Sequence, residues 1–247
     1  MRLGIVTDVH SNTEALSAVL AELRREGVGA IVHLGDVVGY GAEPNECCDM
    51  LRETVQLSLM GNHDAAVTGT MDTAWFASHA KAAVDWTIGV LRDDNMEWLA
   101  KQSYTYREGE YLFSHGSPVD AQEFRYVLTQ FDADEIFAWA SRHAKGVRVV
   151  LVGHAHQCIL FSDTEGYRIV DGIHTGTLDL SQGRWVVNVG SVGQPRDGDP
   201  RACFAILDTE TGHYEARRVA YNVEATQAKI RAAGLPEVLS ARLAIGR

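Results

Sequence analysis

The chain has 247 residues, of which 46% are hydrophobic and only five are proline, so it can bury one full core as a single α/β domain spanning residues 1–247. Its formal net charge of −11 argues against extended nucleic-acid binding, which needs a basic face. No apolar run approaches the ~20 residues of a membrane span, and four cysteines without Cys-x-x-Cys spacing favour reduced core thiols in a cytoplasmic protein.

The chain opens with a predicted β-strand, helix and β-strand. The first strand, Leu3–Val9, runs into Asp8-Val-His10. The segment from Ser11 to Glu14 has the pattern of a capping box, and the helix that it starts is closed by Gly27. The second strand, 30–38, ends in Gly35-Asp36 and is followed by Gly39. This order predicts a βαβ unit with polar residues at its crossover.

A short helix from Pro44 to about Glu53 precedes a third strand, 55–60, which runs into Gly61-Asn62-His63-Asp64. A helical insert is predicted over about 72–102. A wall of a substrate pocket is one role for such an insert, since it follows a ligand loop directly. Its large aromatic side chains are nevertheless expected to be core residues, and its polar residues His79 and Lys81 to be solvated; the aromatic residues are Trp75, Phe76, Trp86 and Trp98.

Two further strands carry histidines at their ends. A hairpin over Tyr104–Ser114 leads into His115, and the strand at 149–152 leads into Gly153-His154-Ala155-His156. An amphipathic helix, 132–145, lies between them. Residues two apart in an extended segment point the same way, so His154 and His156 are expected to face one point.

The last third of the chain is predicted to form a second, mostly antiparallel sheet, with turns at 165–166, 182–183 and 210–212. A glycine-rich loop, 188–197, carries Arg196. The tail from Val223 to Arg247 is predicted to be helical, with a break near 234–236, and no chemistry is expected in it.

Five apolar strands therefore end in residues that can bind a metal ion, and in α/β sheets this edge is where ligands bind. The candidates offer nitrogen and oxygen donors; they are Asp8, His10, Asp36, Asn62, His115, His154 and His156. Seven donors exceed the four of a tetrahedral zinc, and imidazole disfavours Mg²⁺ and Ca²⁺. The set predicts two transition-metal ions (Mn, Fe or Zn) bridged by one carboxylate, an arrangement suited to displacement at phosphorus by an activated bridging water. The other histidines are expected to lie outside the site; they are His33, His143, His174 and His213.

The motifs resemble the complete set of the calcineurin-like metallophosphoesterases, from Arg2 to about Asp208. They are Asp8-x-His10, Gly35-Asp36-x-x-Gly39, Gly61-Asn62-His63-Asp64, His115 and Gly153-His154-x-His156. The resemblance implies a dinuclear hydrolase on a four-layer α/β/β/α sandwich of two mixed sheets.

The resemblance also implies a role for each residue. Asp8, His10 and His156 would hold the first metal. Asn62, His115 and His154 would hold the second, and Asp36 would bridge the two. His63 would contact the substrate phosphate and protonate the leaving oxygen, while Asp64 orients His63 and raises its basicity.

One departure from the family bears on the substrate. Protein phosphatases and symmetrical dinucleoside tetraphosphatases carry Asp-Arg-Gly where this chain has Gly39-Tyr40-Gly41, so an arginine that binds phosphate is missing there. The loop that ends at Arg196 is instead similar to small bacterial and archaeal members. Arg196 could supply the phosphate contact or be a solvated turn residue.

Small phosphodiesters or nucleotide polyphosphates are the expected substrates, with asymmetrical cleavage of a dinucleoside tetraphosphate as one specific possibility. A metal-binding scaffold without turnover is the alternative, although the presence of His63 favours catalysis. A nuclease or a protein phosphatase fits less well, because the chain lacks a basic groove and the Asp-Arg-Gly motif.

Overall fold

The computed structural model describes residues 1–169, 174–177 and 183–247. Two six-stranded sheets form its centre. The first contains, in spatial order, β3 (Leu57–Ser58), β2 (Ala30–His33), β1 (Arg2–Val6), β11 (Ala202–Asp208), β12 (His213–Val219) and β9 (His174–Thr177). The second contains β4 (Thr105–Glu108), β5 (Tyr111–Ser114), β6 (Val149–Val152), β10 (Trp185–Val189), β7 (Cys158–Ser162) and β8 (Gly166–Ile169).

Both sheets are mixed. Strand β1 runs parallel to β2, with Ile5 opposite Val32, and antiparallel to β11, with Ile5 opposite Ala205. Strand β6 runs parallel to both β5 and β10, and β10 pairs antiparallel with β7.

The core lies in three apolar layers, because side chains alternate between the faces of a strand. On β11, Ala205 and Leu207 pack between the two sheets, whereas Phe204 and Ile206 pack against helices on the outer face. On β6, alternate residues likewise face the other sheet or the outer helix. This arrangement confirms the predicted four-layer α/β/β/α sandwich.

The helices cover the outer faces and the edge of the sandwich. They are α1 (Thr13–Arg25), α2 (Pro44–Thr54), α3 (Asn62–Val67), α4 (Ser78–Val90), α5 (Asp93–Ala100), α6 (Gln130–His143), α7 (Val223–Ala232) and α8 (Glu237–Ala241), with 3₁₀ turns at Ala121–Glu123 and Arg242–Ile245. In the described part of the chain, none of the helices has the length and apolar character needed to cross a membrane.

Three predictions of local structure need correction. The cap of α1 is Asn12, whose side chain accepts a hydrogen bond from the Ala15 amide, and not Ser11, which adopts a left-handed φ of 54°. The insert is two helices, since the chain is extended at Leu91. Helix α6 begins two residues early, at the capping box of Thr129 and Asp132.

The segment after Cys158 is also not one sheet. Strands β7, β8 and β10 join the second sheet, whereas β9, β11 and β12 join the first. Alternation of apolar and polar residues identifies a strand but not the sheet that it joins, because both sheets bury both of their faces. The helical tail from Val223 and its break are confirmed. The turn predicted at 182–183 lies partly outside the described residues.

Candidate metal centre

The seven predicted ligands meet where strand ends of the two sheets come together. Asp8 and Asp36 follow β1 and β2, and Asn62 begins α3 after β3. His115 follows β5, and the His154–His156 loop follows β6. All seven are buried, each being at most 8% exposed. The first sheet therefore supplies both carboxylates, and the second supplies three of the four imidazoles.

The ligand atoms form overlapping groups around Asp36. Possible ligand atoms lie within 4.8 Å of one another in each of three groups, which are Asp8–His10–His156, His10–Asp36–His63 and Asp36–His115–His154. Asp36 Oδ2 lies 3.6 Å from His10 Nε2 and 3.3 Å from His115 Nε2. Asp36 thus lies between the two clusters, as a bridging carboxylate must. Asn62 Oδ1 lies 3.2 Å from His115 Nε2.

Main-chain carbonyls fix the ring orientation of three of the four imidazoles. Three imidazoles lie with Nδ1 against a main-chain carbonyl: His10 on Val38, His115 on Leu34 and His156 on Gln194, at 3.0, 2.9 and 2.5 Å. When Nδ1 donates, the lone pair of Nε2 is available to a metal, and such a carbonyl partner is usual for metal-binding histidine.

The two carboxylates are arranged in the same way. Asp8 Oδ2 accepts from the His154 amide, and Asp36 Oδ1 accepts from the His63 amide. Asp8 Oδ1 and Asp36 Oδ2 are buried and have no hydrogen-bond partner in the structure as described. Buried carboxylate oxygens without a partner are costly. A cation at each cluster would satisfy them, and these nitrogen and oxygen donors suit transition-metal ions.

The backbone reaches this geometry by an unexpected route. Asp8, His10, Asp36, His154 and His156 all adopt φ between 50° and 66°, in the left-handed region. The extended geometry predicted for His154 and His156 is therefore wrong, and the two histidines belong to different ligand groups. Asp and His tolerate this region better than most residues, yet each such residue still costs roughly 1–2 kcal/mol. Main-chain bonds hold the loops, among them Asp8 N–H to the Gly35 carbonyl at 2.9 Å.

Charges within the cluster shift its pKa values. Burial raises the pKa of Asp8, but the His156 and His115 imidazoles outweigh it and hold the pKa below the usual value. The pKa of Asp36 is likewise lowered against burial, mainly by His115. Burial lowers the pKa of His115, but Asp36 and Asp8 raise it further, to about 9. The carboxylates therefore stay ionised, as metal binding requires, whereas His115 must release its proton when a metal ion binds.

The position of Asp64 differs from the role that the resemblance implies. Its carboxylate accepts hydrogen bonds from four main-chain amides, those of Asp36, Val37, Val38 and Gly61, at 2.8 to 3.2 Å. Nδ1 of His63 is buried without a hydrogen-bond partner among the described residues. Asp64 therefore ties the loop after β2 to the start of α3 and does not orient the His63 ring.

His63 packs in an aromatic setting. Its ring lies 4.4 Å from that of Tyr40 and 5.1 Å from that of Phe76. A Cβ on Gly39 would lie 2.4 Å from His63 Nδ1, so only glycine leaves room for the ring. Burial, followed by the charge of Arg196, lowers the pKa of His63. The charge of Asp36 opposes this shift only in part, so the pKa of His63 is about 4.

A cavity of about 560 Å³ opens beside the cluster. Arg196 lies over the Tyr40 ring, with its guanidinium carbon 5.5 Å from the ring centroid, and donates to the Tyr40 hydroxyl at 3.2 Å. The structure thus brings Arg196 to the residue that stands in place of the missing family arginine. Tyr126 stacks on His154 at 3.9 Å and also lines the cavity.

Sequence reasoning missed part of this cavity. Trp75 was expected in the core but is 94% exposed at the rim, and Phe76 and His79 also line the cavity. The remaining insert tryptophans, Trp86 and Trp98, do pack against apolar clusters. The helical tail contributes Arg242 to the lining, where no role was expected.

Three further histidines contact groups outside the seven ligands. His33 bonds Ser58 Oγ at 2.9 Å, His143 bonds the Trp139 carbonyl at 3.1 Å, and His213 lies 3.1 Å from Glu215. The prediction that these three are not ligands agrees with the structure. The side chain of His174 lies outside the described part of the chain.

Comparisons with known proteins agree with this geometry. The family model for the calcineurin-like phosphoesterase superfamily domain matches residues 1–212. The chain is 34% identical over 250 residues to the uncharacterized protein MJ0912 of Methanocaldococcus jannaschii, covering 99% of this chain and 98% of that protein.

Solved structures give the same result. A metallophosphoesterase from Sphaerobacter thermophilus is 36% identical, with a TM-score of 0.88 over 100% of this chain and 99% of the other. The hypothetical protein PH1004 from Pyrococcus horikoshii shares the fold at 22% identity, with a TM-score of 0.77 over 100% and 98% of the two chains. The chain belongs to the calcineurin-like phosphoesterase superfamily.

Proposed function

We propose that this protein is a dinuclear metal-dependent phosphoesterase that hydrolyses small phosphodiesters or nucleotide polyphosphates. One observation carries the proposal: Asp36 belongs to ligand groups on both sides, and its oxygen Oδ2, which no hydrogen bond occupies in the described structure, lies 3.6 Å from His10 Nε2 and 3.3 Å from His115 Nε2. A carboxylate in that position is suited to bridge two cations.

In this proposal each of the two cations takes ligands from both sheets. Asp8, His10 and His156 bind the first, and Asn62, His115 and His154 bind the second. Bound transition-metal ions would lower the pKa of a coordinated water and offset negative charge on the phosphoryl oxygens. The cluster binds ions with the carboxylates already ionised, since the pKa values of Asp8 and Asp36 are lowered.

The remaining side chains act on the substrate. Arg196 reaches into the cavity from the loop after β10 and is positioned to bind a phosphoryl oxygen. His63 lines the same cavity and is the candidate acid for the leaving oxygen. Its pKa of about 4 keeps the ring largely neutral at neutral pH in the absence of substrate. The negative charge of a bound phosphoryl group would raise that pKa and favour the protonated ring. Asp64 supports the site by holding the loop that carries Asp36.

The test is hydrolysis by protein reconstituted with Mn²⁺. A phosphomonoester, a phosphodiester and a dinucleoside tetraphosphate serve as substrates, and the last reports asymmetrical cleavage through its products. We expect His63→Ala to lower kcat by roughly 10²–10⁴, the usual contribution of a general acid.

The matched control is His33→Asn, which changes a buried imidazole outside the cluster and is expected to keep its activity. If wild type, His63→Ala and buffer give equal rates on all three substrates while Mn²⁺ still binds, the protein is a metal-binding scaffold without turnover.

A further inference from the structure

The cavity extends beyond the metal cluster to a second, cationic end. The cluster forms one end, with Asp36, His63 and His154. Three other lining residues come from separate segments: His79 from α4, Arg196 from the loop after β10, and Arg242 from the 3₁₀ turn that follows α8. The second end is thus built from the insert, the loop after β10 and the tail, and Arg242 lies outside the span matched by the family model.

The tail is firmly attached to the loops of the metal centre. Thr226 Oγ1 donates to Asn12 Oδ1 at 3.1 Å, and Asn12 caps the helix that follows His10. Lys229 pairs with Glu43 at 2.6 Å. Next to Arg242, Leu243 is only 3% exposed and packs in the apolar cluster that contains Tyr40. Arg242 is therefore held in a fixed place and does not lie on a free end.

The two guanidiniums at this end lack acidic partners. In the described part of the chain, no side-chain carboxylate lies within ion-pair distance of Arg196 or Arg242. By contrast, Arg184, Arg201 and Arg218 each pair with an aspartate within 4.0 Å. Arg196 Nε is buried without a hydrogen-bond partner among the described residues, whereas Arg242 Nε donates to the main-chain oxygen of Arg247.

Placing these groups together is unfavourable without a counter-ion. Burial, followed by the Arg196 charge, lowers the pKa of Arg242, and the same two guanidiniums lower the pKa of His79 in addition to its burial. In a chain of net charge −11, a pair of unpaired arginines in a cavity points to an anionic ligand.

Arg196 also connects the two ends of the cavity. Its amide donates to the carbonyl of the ligand His156 at 2.9 Å, and its guanidinium lies over Tyr40. A phosphate bound by the metals and Arg196 would therefore have Arg242 as a further cation of the same cavity, close enough that the two guanidinium charges act on each other.

We propose that Arg242, with Arg196 and His79, forms an anion subsite that binds a second phosphate group of the substrate. The inference rests on the proposed function. It makes the preferred substrate an ester or anhydride that carries a further phosphate next to the scissile one, and not a simple phosphodiester. Guanidinium suits this role because it offers several donors to phosphate oxygens.

The test compares ligands that differ by one phosphate. AMP and ADP are used as inhibitors of bis(4-nitrophenyl) phosphate hydrolysis by the Mn²⁺-loaded protein. In wild type we expect ADP to bind more tightly than AMP by at least about tenfold, the factor that one charge-assisted contact supplies. In Arg242→Gln this ratio falls close to one, and Arg242→Lys retains part of it.

Arg231→Gln is the matched control, because Arg231 lies on the same tail, outside the cavity, and pairs with Glu237 at 3.5 Å. It is expected to keep the wild-type ratio. A second readout needs no turnover: the thermal shift of metal-free protein in ADP and in AMP. We expect ADP to stabilise wild type and Arg231→Gln more than AMP does, and to lose this advantage in Arg242→Gln.

The outcomes separate the two proposals. Absence of hydrolysis of the phosphomonoester, the phosphodiester and the dinucleoside tetraphosphate in wild type contradicts the proposed function, while the thermal shifts still test the subsite. If the diester is hydrolysed but ADP binds no better than AMP, or if folded Arg242→Gln and Arg242→Lys both keep the full preference, the subsite is wrong. If Arg242→Gln does not fold, the lysine variant alone decides.

Discussion

Asp64→Asn is the substitution that best separates the role seen in the structure from the role that the resemblance implies. Four main-chain amides donate to the Asp64 carboxylate, two to each oxygen. Asparagine keeps one oxygen and replaces the other with an amino group. Because that group donates and cannot accept, two buried amides lose their acceptor and face another donor.

The expected cost follows from those two amides. Each buried amide without an acceptor costs roughly 1–3 kcal/mol, so the free energy of unfolding should fall by about 2–6 kcal/mol. In a chain of this size, roughly 3 °C of Tm are lost per kcal/mol, which corresponds to a fall of about 6–18 °C. The pKa of Asp64 is raised to about 7, first by burial and then by the Asp36 charge. At pH 8 the carboxylate is ionised and accepts all four bonds. Between about pH 4 and 7 the folded chain binds a proton that the unfolded chain has released, so wild type loses stability as the pH rises through that range and Asp64→Asn does not.

The assay is urea unfolding at pH 8 of wild type, Asp64→Asn, His63→Ala and the double variant, together with Mn²⁺ titration. If Asp64 holds the backbone, Asp64→Asn should lower the free energy of unfolding equally in wild type and in His63→Ala, within about 0.5 kcal/mol. The substitution should also weaken Mn²⁺ binding in both proteins.

The control for this assay is Asp132→Asn, which removes a partly exposed carboxylate that also accepts from main-chain amides and should cost only about 1 kcal/mol. The reasoning is refuted if Asp64→Asn leaves stability and Mn²⁺ affinity unchanged and lowers kcat only when His63 is present.

Three further results are expected. A Cβ on Gly61 would lie 2.1 Å from Asp36 Oδ1, so Gly61→Ala should abolish stabilisation by Mn²⁺ in thermal scans. By comparison, a Cβ on Gly89 in helix α4 would have no other atom within 4 Å, so Gly89→Ala should stabilise the protein by roughly 0.5–1 kcal/mol. Mn²⁺ at 100 times its Kd should raise the free energy of unfolding by about 2.7 kcal/mol per site, and EDTA should reverse this; calorimetry that shows one ion per chain would contradict the paired site. Burial lowers the pKa of His33 from 6.5 to about 3, so below pH 6.5 the unfolded chain binds a proton that the folded chain does not. At pH 5 this costs about 2 kcal/mol relative to neutral pH, and His33→Asn should show a correspondingly smaller loss in urea unfolding.

Residues that end an apolar strand were the predictable part of the site. A short buried run followed by Gly-Asp or Gly-His identifies both a strand and the polar residue placed at its end, as at Asp36 and His154. The family resemblance supplied the sandwich and the pairing of ligands. The argument from extended i, i+2 spacing reached the right residues by a wrong geometry, because Asp8, His10 and the two histidines after β6 are left-handed.

Two features could not be predicted from the sequence: which sheet a strand joins, and which groups donate hydrogen bonds to a buried carboxylate. Alternation in β11 and in β10 is equally compatible with either sheet, because each buries both faces. The role of Asp64 depends on three amides that lie 26 to 28 residues earlier in the chain. Only tertiary structure brings them to its carboxylate, whereas the sequence places it next to His63.

The position of Arg242 in the cavity could not be predicted from the sequence either, because it also depends on tertiary structure. An arginine in an alanine-rich tail is usually a solvated helix residue, and composition alone cannot distinguish it from Arg231. Arg231 forms an ion pair with Glu237, whereas Arg242 lines a cavity that also contains Arg196. Among the described residues, no side-chain carboxylate pairs with either Arg196 or Arg242. Substitution of the tail arginines therefore tests a general point, that in an acidic protein an arginine that lines a cavity without an acidic side chain beside it is a better marker of a phosphate subsite than a motif is.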